Sequence, residues 1–170
     1  MRGMIPGFLT VLLLSALSVC AQIGEQTKAT DTPPKGDPRV KALLDKAGLK
    51  YRVDEDGDYQ VGYKFDDGRS HVAFVFSQTS RLGDMEIREV GAVAYTADEV
   101  PCSVARNLLR ATSKVKLGAW ELGRFNKQEA AWFRAKIAAD TDVETLIMTL
   151  RAVSETADEK EKELTDRDDF

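Results

Sequence analysis

Residues 38–164 combine two hydrophobic spacings, one typical of helices and one typical of strands. Apolar side chains recur every three or four positions in three segments, 38–47, 98–114 and 143–157, and this spacing predicts three amphipathic helices. Apolar and polar side chains alternate in a second set of segments, which predicts strands. The predicted strands are 51–53, 59–65, 72–76, 85–95, 116–125 and 130–137.

Two Asp-Gly turns, at Gly57 and Gly68, separate the first three predicted strands and are typical of hairpins. The segment 85–95 is less regular because Ile87 and Val90 are out of phase. The order is therefore helix, three or four strands, helix, two strands, helix. This order predicts an α+β fold, with an antiparallel sheet and the helices packed on one side of it.

The helix ends carry their own signals. Asp37 is a predicted N-cap with Pro38 in the first helical position, and Gly48 is a predicted left-handed C-terminal stop. Thr141 and Glu144 have the spacing of a capping box, which predicts the start of the last helix.

Past Ala157 nearly every residue is charged. We therefore expect the last helix to extend beyond the hydrophobic core and to fray near Thr165. These limits predict a folded domain over residues 38–164 and a charged tail over residues 165–170.

The first residues resemble a secretory leader. One charge, Arg2, precedes an apolar run over residues 7–17 that is shorter than the roughly 20 residues needed to cross a bilayer. Residues 1–21 are thus a predicted signal peptide, with the mature chain beginning at Gln22. Residues 22–37 are polar and Pro-containing and are predicted to be a disordered linker.

Cys20 leaves a second type of processing open. Val19-Cys20-Ala21 places small side chains where signal peptidase requires them, but Leu17-Ser18-Val19-Cys20 resembles a lipobox, in which Cys20 would carry a lipid. The sequence therefore predicts a soluble exported protein, periplasmic or secreted, with a lipid anchor on Cys20 as the alternative.

Composition narrows the function classes. The 170 residues carry 24 basic and 28 acidic side chains, a net charge of −4, and loss of residues 1–21 removes only Arg2, which leaves −5. This charge argues against a broad nucleic-acid-binding surface. One His and two Cys offer little for a metal or His-based centre, so we expect no cofactor, no metal and no membrane span in the mature chain.

Candidate chemistry is sparse. The acidic turn at Asp54, Asp56 and Asp58 lacks the Gly and Glu spacing of a calcium loop. His71 is predicted to lie at the surface or between strands. A hydrolase that pairs His71 with Asp67 or Glu121 is the enzymatic alternative, although no pattern in the sequence brings these side chains together.

Aromatic residues suggest a binding surface instead. Trp120 and Trp132 lie in neighbouring predicted strands, and Trp132 shares a face with Arg134, opposite Phe133. One face of a sheet that is covered by helices on its other side stays open to solvent. The aromatic side chains fit core packing and cross-strand pairing. The alternative is that Trp132 is partly exposed, and Trp120, Trp132 and Arg134 are then the candidate binding residues.

Several segments resemble the YbjN-like family, whose fold is shared with type III secretion chaperones. They are Asn-Leu-Leu at 107–109, Val-Lys-Leu-Gly-Ala-Trp-Glu-Leu at 115–122, Ala-Trp-Phe-Arg-Ala at 131–135 and the end of the last helix at 153–158. The resemblance covers about residues 38–164 and implies an α+β sandwich, protein binding, frequent dimers and no enzymatic role. Many relatives are cytoplasmic, whereas this chain has a predicted leader.

These observations predict an exported, non-enzymatic protein-binding domain that associates with itself, as a homodimer, or with another envelope protein. The lipid-anchored form of the same domain and the hydrolase are the alternatives.

Overall fold

The computed structural model describes residues 36–170, in which the alternating segments form a single six-stranded sheet. The predicted signal peptide, Cys20 and nearly all of the predicted linker lie outside the described residues. Within residues 36–170, no helix combines the length and apolar content that crossing a bilayer requires.

The elements follow the predicted order. They are α1 (Pro38–Lys46), β1 (Tyr51–Val53), β2 (Tyr59–Lys64), β3 (Ser70–Leu82), β4 (Met85–Ala97), α2 (Cys102–Thr112), β5 (Ala119–Phe125), β6 (Gln128–Ala138) and α3 (Val143–Thr165). The α+β fold class is confirmed, and the irregular fourth segment is a full strand of 13 residues. Ile87 and Val90 are out of phase because they lie on opposite faces of the strand, and the buried Arg88 shares the face of Val90.

All neighbouring strands are antiparallel, in the order β1-β2-β3-β4-β6-β5. The first four strands form a meander. The chain then leaves the sheet through α2 and returns as β5, which pairs only with β6 and is therefore an edge strand among the described residues. The edge strand β5 lies next to helix α2, which directly precedes it in the chain.

The alternation of side chains separates two faces of the sheet. One face packs against all three helices, which contribute Val40 and Leu44 from α1, Leu108 from α2, and Leu146, Leu150 and Val153 from α3. The sheet residues on this face include Val61, Val75, Val90, Ala92, Phe133 and Ala135. The opposite face carries a smaller aromatic cluster, formed by Phe74, Phe76, Phe125, Trp132 and Phe170.

Helix α1 starts as predicted, since the Asp37 carboxylate accepts from the main-chain N–H of Arg39 and Pro38 is the first helical residue. Gly48 follows with a φ of 66°, the left-handed value that favours glycine. The same carboxylate accepts from Arg88 at 2.5 Å, and the Arg88 side chain is only 2% exposed. Asp37 therefore caps a helix and pairs with a buried cation.

Helix α3 differs from the prediction at both ends. Its N-cap is Asp142, which accepts from the N–H of Thr145, so the predicted capping box at Thr141 was wrong by one residue. The helix ends at Thr165, near the predicted position, but it does not run beyond the core. Asp158 and Glu161 are buried because Arg69, just before β3, pairs with both carboxylates.

The Asp37–Arg88 pair gives a test of what anchors α1. Burial alone would raise the pKa of Asp37, but hydrogen bonds from Arg39 and Arg88 outweigh burial and hold this pKa well below its usual range. Asp37→Ala should lower the free energy of unfolding by about 3 kcal/mol, because it leaves the buried Arg88 guanidinium without its carboxylate. Chemical denaturation at pH 7 measures this change.

Asp37→Asn is the matched control that separates the ion pair from the helix N-cap, because Asn keeps the N-cap acceptor and removes only the charge. We expect it to lose most of the same stability. Since the folded-state pKa is lowered, the stabilisation is present above the ordinary value of 3.8 and disappears as the pH falls below it. An Asn variant as stable as wild type at pH 7 would contradict the ion-pair account.

Candidate functional site

Helix α2 and the C-terminal half of α3 enclose a groove of about 800 Å³ on the helix-covered side of the sheet. Its α2 wall carries Arg106 and Arg110, with Lys114 in the turn that follows the helix, and its α3 wall carries Glu159 and Glu163. Arg106 and Arg110 are four residues apart and so share one face of α2, and Lys114 extends this cationic stripe past the helix end. All three are exposed, and none forms an ion pair with another described residue.

The two walls are joined by a hydrogen-bonded bridge. Asn107 donates to the Glu163 carboxylate at 3.0 Å and accepts from the Lys160 ammonium at 3.2 Å. Lys160 also pairs with Glu163. This bridge uses Lys160 and Glu163 of the α3 wall, so Glu159 is the one remaining acid of the groove opposite the three cations, and the excess charge is positive.

Trp120 lies where the groove meets the sheet. It is 7% exposed, its ring packs 5.1 Å from that of Phe133, and its main-chain N–H donates to Thr112 at the end of α2. Gly118 permits this turn, since its φ is +82° and a Cβ would lie 2.5 Å from the carbonyl oxygen of Arg134. Trp120 thus fixes the end of α2 to the start of β5.

An apolar patch borders the groove at the same edge of the sheet. Leu109 of α2 is 72% exposed and Leu122 of β5 is 49% exposed. Together with Trp120 they line a second depression of about 210 Å³. A stripe of cations, an apolar patch and an edge strand therefore lie side by side.

The predicted binding residues do not form one surface. Trp120 faces the helices, whereas Trp132 and Arg134 lie on the opposite face of the sheet. The alternative of a partly exposed Trp132 was wrong, because its side chain is only 4% exposed and packs against other aromatic rings. Its ring meets those of the aromatic cluster at centroid distances of 5.5 to 5.9 Å.

Arg134 covers the aromatic cluster around Trp132. Its guanidinium lies 4.8 Å from the ring centroids of both Phe76 and Trp132, and it also pairs with Glu89 at 2.9 Å. The aromatic cluster and Arg134 therefore cover part of the sheet face that the helices leave open. The alternation of apolar and polar residues in the sequence does not reveal this cover.

The three side chains of the hydrolase alternative lie apart. Asp67 is in the β2–β3 turn and pairs with Lys162 at 3.3 Å, while Glu121 lies on the open face near Lys136. His71 alternates with Ala73 and Val75 and so faces the helices. Of the two positions predicted for His71, the surface was wrong, since its side chain is fully buried, whereas the cross-strand position is correct, since His71 pairs with Tyr63 of β2.

The buried surroundings of His71 form a charged cluster that joins β3 to α3. Arg69 Nε donates to Asp158 Oδ1 at 2.8 Å, and Arg69 Nη2 donates to Glu161 Oε2 at 3.3 Å. His71 Nδ1 lies 3.5 Å from the same Glu161 oxygen. Neither ring nitrogen of His71 has a hydrogen-bond partner among the described residues.

The C-terminal residues close over this charged cluster. Asp169 donates its main-chain N–H to Glu161 Oε1 at 2.6 Å, and Asp168 accepts from the main-chain N–H of Ser70 at 3.2 Å. The Phe170 ring lies 6.3 Å from the His71 ring. The predicted charged tail is therefore packed against the domain through these contacts.

Burial shifts both titratable groups toward their neutral forms. It lowers the pKa of His71 below its ordinary value of 6.5, and it raises the pKa of Glu161, although the main-chain N–H of Asp169 and the charge of Arg69 oppose that rise. Ligand atoms of His71, Asp158 and Glu161 all lie within 4.8 Å of one another. These three are the group of His, Cys and acidic side chains that could hold a metal ion within residues 36–170.

Sequence reasoning missed this cluster, although a signal was present. The helical spacing of Leu150, Val153 and Ala157 continues through Asp158 and Glu161. Two acids at positions that otherwise carry core residues indicate a buried charge with a partner. The partner, Arg69, is 89 residues away from Asp158 and could not be identified from the pattern.

The fold and the groove define an α+β protein with three helices on one face of a six-stranded antiparallel sheet and an exposed basic groove between α2 and α3. Comparison with protein-family models and with curated proteins finds no match to this chain.

Proposed function

We propose that this chain is an exported, non-enzymatic protein-binding domain that holds an acidic segment of a partner protein in the groove between α2 and α3. The observation that carries the proposal is the stripe of Arg106, Arg110 and Lys114, which lines the groove without an ion pair among the described residues. Such a stripe attracts carboxylates and orients the segment that bears them.

The apolar patch supplies the second half of the interaction. Leu109 and Leu122 expose large apolar side chains next to the cationic stripe. Burial of such side chains at the centre of an interface provides most of the affinity, while the surrounding charges set the specificity. The expected ligand is therefore a segment in which acidic residues accompany Leu-like side chains.

Charge argues against a second copy as the occupant. A twofold axis across the groove would bring α2 of one protomer against α2 of the other and place Arg106, Arg110 and Lys114 near their own copies. Juxtaposed like charges disfavour that arrangement. An axis along the groove would instead place them opposite the second protomer's α3 wall, where Glu163 is already paired with Lys160. A partner protein with an acidic segment is the better fit to the groove.

Two features of the sequence support the same class of role. The YbjN-like resemblance implies protein binding, and the leader pattern of residues 1–21 implies export. The separation of Asp67, His71 and Glu121 supports a binding role over the hydrolase.

Peptide selection with site-specific cross-linking tests the groove. The purified chain, selected against random displayed peptides, should enrich sequences that combine acidic and large apolar residues. Synthetic copies of these peptides should cross-link to a photoreactive residue at position 109. Position 82 is the matched control, since Leu82 is 70% exposed and Leu109 is 72% exposed.

Charge reversal adds a quantitative comparison. Arg106→Glu with Arg110→Glu should weaken binding of the selected peptides by about tenfold or more, because it replaces attraction by repulsion. Arg52→Glu with Arg81→Glu changes the net charge equally and should leave affinity nearly unchanged. Selected peptides without acidic residues, or equal cross-linking at positions 82 and 109, would overturn the proposal.

Export is tested separately by the intact mass of the mature chain from its natural host. We expect a chain that begins at Gln22 and carries no lipid, because Val19 and Ala21 satisfy the small-residue positions of signal peptidase. A chain that begins at a lipidated Cys20 would support the membrane-anchored alternative. An uncleaved chain that begins at residue 1 or 2 would contradict export.

A further inference from the structure

We propose that His71, Asp158 and Glu161 form a buried site for a divalent cation of the zinc type. His71 Nδ1 and one carboxylate oxygen from each acid would be the ligands. The site lies between β3 and α3, and it uses no residue of the α2 stripe or of the apolar patch.

The spacing of the ligand atoms fits the ion. Zinc binds imidazole nitrogen and carboxylate oxygen at about 2.0 to 2.2 Å, so two ligand atoms of a tetrahedral site lie roughly 3.3 to 3.5 Å apart. His71 Nδ1 and Glu161 Oε2 are 3.5 Å apart, and Asp158 supplies an oxygen within 4.8 Å of both. Small side-chain rotations would complete three protein ligands.

The environment of the His71 ring is a second observation, independent of the ligand spacing. The imidazole is fully buried, and neither nitrogen makes a hydrogen bond of good geometry among the described residues, although burial lowers the pKa of His71 against the opposing effect of a main-chain contact with Val93. Burial of a polar group without a partner is unfavourable. A cation on Nδ1 would satisfy the nitrogen that already points toward the Glu161 carboxylate.

Hydrogen bonds orient the carboxylates of Asp158 and Glu161, as they do for carboxylate ligands in metal sites. Arg69 Nε donates to Asp158 Oδ1, and the structure gives no hydrogen bond to the other Asp158 oxygen within the described residues. The Asp169 N–H donates to Glu161 Oε1, while Oε2 lies 3.5 Å from His71 Nδ1 and accepts from Arg69 Nη2 at 3.3 Å. Hydrogen bonds from outside the ligand set orient ligating carboxylates and strengthen metal binding.

Charge also favours a divalent ion. Arg69 is surrounded by the carboxylates of Asp158, Glu161 and Asp168, so the ionised cluster has two more negative charges than positive ones. One divalent cation would neutralise it. The imidazole ligand favours zinc over magnesium or calcium, which prefer oxygen ligands alone.

The test uses the full chain, freed of metal by a chelator and titrated with zinc chloride. His71 is the only histidine, so its ¹⁵N resonances report on the site without ambiguity. We expect one equivalent of zinc to shift the Nδ1 resonance, with a rise in melting temperature as ligand binding stabilises the fold. An unshifted His71 resonance at millimolar zinc would overturn the proposal, and this readout requires no variant.

Variants identify the ligands. Glu161→Gln and Asp158→Asn should each weaken zinc binding by about tenfold or more, whereas Glu144→Gln, the same type of change at an exposed position of α3, should not. Cys102 is exposed and could bind zinc adventitiously. Binding lost in Cys102→Ser and kept in Glu161→Gln, or a thiolate charge-transfer band with cobalt, would also overturn the proposal.

Discussion

The ion pairs from Arg69 to Asp158 and Glu161 hold the last helix on the sheet. Arg69 lies just before β3, and the two acids lie on the final turns of α3, between the core contacts of Ala157 and Leu164. Removing one partner of a buried ion pair is strongly destabilising because the other charge remains desolvated. The second half of α3 therefore depends on one guanidinium as well as on apolar contact.

The candidate sites depend on that same contact. The α3 wall of the groove, with Glu159 and Glu163, belongs to the segment that Arg69 fixes, and the Asn107 bridge then holds α2 at a set distance. The proposed cation site consists of the same two acids and His71. One charged cluster thus positions the groove on its exposed side and forms a polar site on its buried side.

The sequence predicted the fold more completely than the sites. Alternation and helical spacing are local properties, and they sufficed for all six strands, three helices and the Asp37 cap. The exposure of Trp132 and the burial of His71 depend instead on distant neighbours. Arg134 covers Trp132, while α3 and Phe170 enclose His71, and none of these contacts leaves a periodic signal.

The central claim is tested most directly by hydrogen exchange in Arg69→Met. Two buried carboxylates lose their cation, so protection of the amides near the end of α3, residues 157–165, should fall by about a hundredfold, while residues 146–153 change little. Arg151→Met, which breaks the exposed Arg151–Glu155 pair on the same helix, should leave both segments unchanged. Undiminished protection of residues 157–165 in Arg69→Met would contradict the account.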